Sequence, residues 1–82
     1  MARILYFGKL SSIFGEMSET ADLPASISDT AALRTWIDQT RGFDGVLLHP
    51  SVRIAVNNEI VPDPSPVSDT DEIAFMPPVG GG

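Results

Sequence analysis

The residue types that could do chemistry sit at the end of the chain. Pro77-Pro78-Val79-Gly80-Gly81-Gly82 follows directly on the apolar run Ile73-Ala74-Phe75-Met76, so a stiff spacer, one apolar residue and three glycines lead to a terminal carboxylate. Two consecutive prolines fix φ and favour an extended, polyproline-like path, which predicts a short rod aimed away from the body. The glycines lack a Cβ, so other backbones can come close to them. Fully extended, such a segment spans about 20 Å at ~3.3–3.6 Å per residue, far enough to enter a partner's pocket. Terminal glycines alone are the ordinary mark of a frayed end. A frayed end has no need of rigid prolines directly before it, and that junction marks the segment as one built to present its carboxylate.

Other side chains offer less. His49, the single histidine, sits beside Pro50 and reads as a loop residue rather than a general base. Asp69, Asp71 and Glu72 could be drawn as a cation site, but three acids in a solvated turn read first as a turn, so no metal is expected. The glycines are not followed by the lysine and helix that a phosphate-binding loop requires. Cysteine is absent, which excludes disulfides, thiolate–metal centres and cysteine nucleophiles. Any sulfur carried would not be on a side chain.

The formal net charge is −6, from 11 acidic and 5 basic side chains, and this argues against nucleic acid and anionic membranes as partners. It favours steering toward a basic protein surface. No run approaches the length of a membrane span, and Met1-Ala2-Arg3 precedes too short an apolar stretch for a signal peptide; a cytoplasmic location is expected. With 82 residues, 43% of them hydrophobic, one small core is expected and no internal cleft, so a partner-dependent module is favoured over a self-contained enzyme.

The elements that must position the tail follow from periodicity. Ile4-Leu5-Tyr6-Phe7 is a continuous apolar run stopped by Gly8 and reads as a central strand with both faces covered. Leu10, Ile13 and Phe14 have helical spacing, closed by Gly15. Met17, Ala21 and Leu23 share one side of a weaker, edge-type strand, with Glu19 as the exception. Ser28-Asp29-Thr30 supplies capping oxygens for a helix whose stripe is Leu33, Trp36 and Ile37, read as core, and Gly42 ends it. Phe43 to His49 suggests a further short helical turn ended by Pro50. Val52, Ile54 and Val56 alternate as a half-buried strand, Asn57-Asn58 tolerates positive φ in a tight turn, and Ile60-Val61 returns. Pro62, Pro64 and Pro66 make a loop, and Ser68 to Glu72 an acidic turn before the last strand.

This order predicts an α+β, β-grasp (ubiquitin-like) fold: a mixed sheet of about five strands packed on one main helix, with the last strand central and parallel to the first. Residues 1–76 form the domain and 77–82 the extended tail. One helix can cover only one face of the sheet, yet Leu5 and Phe7 oppose Ile4 and Tyr6, and Ala74 and Met76 oppose Ile73 and Phe75. The surplus apolar face is where a partner is expected.

The terminal block Pro77-Pro78-Val79-Gly80-Gly81-Gly82, after Asp71-Glu72-Ile73-Ala74-Phe75-Met76, resembles the C-terminus of the molybdopterin synthase small subunit, the MoaD family of ubiquitin-like sulfur carriers. Leu5-Tyr6-Phe7, Leu33-Arg34 and Ala55-Val56-Asn57 extend the resemblance over most of the chain. Two departures stand out. Thr70 replaces a glycine in the acidic turn, where a β-branched residue resists positive φ, and Gly80 replaces the usual threonine or serine.

The resemblance implies that a ubiquitin-activating-enzyme-like adenylyltransferase uses ATP to adenylate the Gly82 carboxylate. A sulfur donor then replaces AMP, and the Gly82 thiocarboxylate donates sulfur to cyclic pyranopterin monophosphate within a large subunit. Gly81, Gly80, Val79, Pro78 and Pro77 would thread into the partners, and no cofactor would be bound by the chain itself. Phe7, Ile60 and Met76 are the candidates for the partner interface, from strand parity and from the apolar contacts of the family at matching positions. Two small subunits flanking a dimer of large ones are expected. The alternatives are a carrier for thiamine or another sulfur metabolite, a ubiquitin-like modifier attacked at Gly82 by a target lysine, and a plain interaction domain.

Overall fold

In a computed structural model, which describes residues 1–77, the apolar runs become five strands and two helices. The strands are β1 (Ala2–Tyr6), β2 (Ser18–Ala21), β3 (Arg53–Val56), β4 (Glu59–Ile60) and β5 (Glu72–Met76). The helices are α1 (Lys9–Phe14) and α2 (Thr30–Arg41), with a single 3-10 turn at Val46–Leu48. The strands lie in the order β2-β1-β5-β3-β4. β1 and β5 run parallel, with Ile4 opposite Ile73 and Tyr6 opposite Phe75, while the other pairs are antiparallel. This is the β-grasp arrangement, with the last strand in the centre.

The local chemistry accounts for the element ends. Asp29 caps α2, its Oδ1 accepting from the Ala32 backbone N–H at 2.8 Å. Gly42 closes the helix at φ 71°, a conformation that costs glycine little. Asn57 and Asn58 take φ 51° and 70°, which lets β3 turn tightly into β4. Thr70 is not among the residues with positive φ, so the acidic turn is built without the conformation that glycine would favour.

One face of the sheet packs on α2. Ile4, Tyr6, Ile54, Ile73 and Phe75 from the strands meet Leu33 and Ile37 from the helix, all essentially inaccessible. Each such side chain contributes roughly 1.5–3 kcal/mol by leaving water. Trp36 is only half-buried, at the border of the core, with the Arg41 guanidinium 4.9 Å from its ring centroid. Tyr6 packs against Phe14 and Phe43 at centroid distances of 4.6 and 5.4 Å.

Several expectations change in three dimensions. Met17 is exposed rather than core-facing, and Glu19, the apparent exception on that strand, points inward. Its carboxylate accepts from the Tyr6 hydroxyl at 2.6 Å and is held in a two-point grip by Arg41 at 3.0 and 2.8 Å. Ile13 is exposed while Leu10 is buried, because a short helix can turn only a narrow stripe inward. Two buried charges were not legible as core at all. Arg34 donates to the carbonyls of Leu47, His49 and Val52, and Asp38, one turn later on α2, accepts from the N–H groups of Gly45 and Leu47. Together they staple the irregular segment between α2 and β3 to the helix, satisfying backbone groups that no strand or helix partner reaches. Among the described residues no helix is long and apolar enough to cross a membrane.

Candidate functional site

The strand that leads into the tail is held on both sides up to its last residue. Tyr6 lies opposite Phe75 in β1, Arg53 lies opposite Met76 in β3, and the Phe7 N–H donates to the Phe75 carbonyl at 3.1 Å. Pro77 then sits against Gly8, where a Cβ would come within 2.9 Å of the proline Cγ. The missing side chain at Gly8 leaves the room that the Pro77 ring uses. Of the tail residues singled out by sequence, Pro77 is therefore anchored beside β1. Pro78, Val79, Gly80, Gly81 and Gly82 lie outside the described residues.

The face of the sheet opposite α2 is open. Along β1, Ala2, Ile4 and Tyr6 are buried and Arg3 is exposed, with Leu5 only half-covered; along β5, Ile73 and Phe75 are buried while Glu72, Ala74 and Met76 are half-covered. The expectation that β1 is covered on both faces is thus corrected, since a single main helix covers a single face. Phe7 is 47% exposed and Ile60 59% exposed. With Met76 they line one shallow depression of about 300 Å³, floored by Leu5, Ala55 and Ala74 and edged by the polar Asn58 and Glu72. The three residues proposed from strand parity are brought together. Ala55, Asn58 and Glu72 were missed, because their place on this face depends on how the hairpin and β5 align, with Ala55 opposite both Ile60 and Ala74.

The other polar candidates serve the fold. His49 is exposed, and its Nδ1 accepts from the Ser51 backbone N–H at 3.1 Å. Asp69 accepts from the Leu23 N–H at 2.8 Å and pairs with the terminal ammonium of Met1 at 3.1 Å, and these hold its carboxyl below the usual range. Asp71 is likewise lowered, by the Asn57 side-chain amide and the Ser68 N–H. Deeper in, burial raises the Tyr6 hydroxyl, reinforced by its bond to Glu19. Burial opposes the charge on Glu19, but hydrogen bonds from Arg41 and Tyr6 outweigh it and lower the carboxyl. Among the described residues no group of three or more histidine and acidic side chains is placed to hold a metal. The arrangement leaves an exposed, largely apolar surface next to the strand end that Pro77 follows.

Comparison with known proteins fits this geometry. A family model described as the ThiS family matches residues 4–82. The chain is 30% identical over 83 residues to the molybdopterin synthase sulfur carrier subunit of Escherichia coli (strain K12), covering 100% of both chains. Two solved structures share the fold at lower identity. One is the small archaeal modifier protein 1 from Methanosarcina acetivorans (TM-score 0.72, 22% identity, 99% of this chain and 95% of that one). The other is a chain in the complex of subunits 1 and 2 of molybdopterin-converting factor from Helicobacter pylori 26695 (TM-score 0.66, 24% identity, 99% of this chain and 97% of that one).

Proposed function

The chain belongs to the ThiS family, and from that premise we propose that it is the sulfur-carrying small subunit of molybdopterin synthase, with the Gly82 carboxylate as its working group. The observation that carries this reading is the match to a sulfur carrier subunit over the full length of both chains, with the family match running through Gly82. The large subunit is the natural occupant of the open sheet face, since a subunit 1 and 2 complex exists for a converting factor of the same fold.

The chemistry follows from the state of the terminal group. An α-carboxylate is ionised at neutral pH and resists nucleophiles. Attack of its oxygen on the α-phosphate of ATP, catalysed by a ubiquitin-activating-enzyme-like adenylyltransferase, forms an acyl adenylate and releases pyrophosphate. Hydrosulfide supplied by the sulfur donor then adds to the carbonyl, AMP leaves with the bonding pair, the hydrosulfide proton goes to water, and a thiocarboxylate remains. In the large subunit that sulfur passes to cyclic pyranopterin monophosphate, and hydrolysis returns the carboxylate. Glycines at 80–82 let enzyme groups crowd the reacting carbonyl. Ordering them costs roughly 1–2 kcal/mol per residue, which helps the spent carrier leave. The chain supplies sulfur and position and is not catalytic alone.

Intact mass after incubation with the cognate adenylyltransferase, ATP and a sulfur donor tests this. The expected result is a gain equal to replacing one oxygen by sulfur, abolished by deleting Gly82 or adding one residue after it. Absence of that gain in the wild-type chain overturns the reading. Adducts linked through amides instead, removed by deleting Gly81 and Gly82, would mark a protein modifier, and co-purification with a thiamine-pathway enzyme a different sulfur route.

A further inference from the structure

The last strand ends against a fixed notch. Gly8 lies at φ 56° and ψ −136°, a positive φ without the ψ of the left-handed well, and that combination is open to glycine alone. A Cβ there would stand 2.9 Å from the Pro77 Cγ and 3.7 Å from its Cδ, the first well inside the carbon–carbon contact distance of about 3.5–4.0 Å. Position 8 is glycine for two separate reasons, its backbone path and the space that the Pro77 ring takes up.

Neither wall of the notch is free to yield. The Phe7 N–H donates to the Phe75 carbonyl at 3.1 Å, which ties the chain before Gly8 to β5. After it, the Gly8 carbonyl accepts from the Ser11 N–H at 3.1 Å and from the Ser11 hydroxyl at 2.8 Å. α1 is pinned in turn by Leu10, which is fully buried. On the tail side, Met76 is held in β5 opposite Arg53, and a residue before a proline has a narrowed choice of φ and ψ. A displaced ring therefore passes its displacement forward into the residues after Pro77 rather than back into the sheet. Residues 78–82 reach about 17 Å when extended, so a turn of about 10° at the root swings the end by roughly 3 Å. Misplacing a reacting group by about 1 Å can cost on the order of 10²-fold in rate. Glycine freedom at positions 80–82 recovers part of that loss.

We propose that Gly8 is a positioning residue for sulfur transfer: the notch that it forms, with α1 behind it, seats the Pro77 ring and sets the direction in which the Gly82 thiocarboxylate is presented once the sheet face has docked. This rests on the function proposed above and gives α1 a part in it. The docked face holds the two chains together, and the notch sets the effective concentration of the tethered end at the reacting site. Its signature is slower transfer at unchanged affinity.

The test uses full chains made as the thiocarboxylate by sulfide cleavage of a C-terminal thioester, so that loading does not depend on the adenylyltransferase. Sulfur transfer to cyclic pyranopterin monophosphate is followed in a single turnover at saturating cognate large subunit for wild type, Gly8→Ala, Pro77→Ala and the double variant. Affinity of the unloaded chains is read by calorimetric titration and folding by circular dichroism. Gly8→Ala is expected to slow transfer about tenfold with Kd within about twofold of wild type. Pro77→Ala, which empties the notch, should also slow transfer, and the double variant should be no slower than Pro77→Ala alone, because the ring atoms are what the added Cβ would meet. Backbone strain at position 8 is present with or without the ring, so an equal loss from Gly8→Ala in both backgrounds overturns the proposal, as does wild-type transfer by Gly8→Ala. Should Gly8→Ala fail to fold, Pro77→Ala decides: proline has no N–H to donate, so this change breaks no backbone hydrogen bond, and wild-type transfer by it overturns the proposal. Each of these outcomes leaves the sulfur-carrier reading intact. A loaded wild-type chain that passes on no sulfur overturns that reading, and the role of the notch with it.

Discussion

At the scale of single residues, Glu19 shows how a charge can be part of a core. It ties the Tyr6 hydroxyl in β1 to Arg41 at the end of α2, so one carboxylate bridges the sheet and the helix. Its carboxyl is lowered in the folded chain from the ordinary value of 4.5. The stabilisation is therefore fully present above that value and is lost as pH falls through the lower folded one. Urea titrations of wild type should show a declining limb that begins near pH 4.5. Glu19→Gln should be less stable by about 2 kcal/mol at neutral pH, since it weakens charge-assisted bonds to partly buried partners. Its acid limb should be shallower, though not flat, because Asp69 and Asp71 are also lowered in the folded state.

At the scale of elements, the segment from Phe43 to Val52 has little regular structure, yet it delivers the chain into β3. Arg34 supplies donors to three of its carbonyls and Asp38 accepts two of its N–H groups, so α2 acts as a template for a loop. Arg34→Leu should cost about 3 kcal/mol in urea unfolding, because buried carbonyls lose their donors together. Arg34→Lys should recover less than half of that loss, since an ammonium on a single stem cannot fork to carbonyls in three directions. The Asp63 pair adds little to the count, as that carboxylate is a third exposed and 3.4 Å away.

At the scale of the whole molecule, the sheet has two unlike sides, one covered by α2 and one left open. Phe7 and Ile60 contribute little to folding because about half of each is already in water. Replacing both with alanine should leave the urea midpoint nearly unchanged while weakening binding of the large subunit by roughly 1–3 kcal/mol, read by calorimetric titration. The turns and elements were legible in the sequence because they depend on local chemistry: positive φ accepted by Gly15, Gly42, Asn57 and Asn58, and apolar periods of two and 3.6 residues. The β-grasp order followed from those elements taken in sequence. Which face of β1 is covered, that Glu19 turns inward, and that Arg34 and Asp38 are core residues were decided only by the tertiary structure. Each depends on cross-strand register and on contacts between residues far apart in the chain, and no local pattern encodes the partner that a buried or exposed charge will meet.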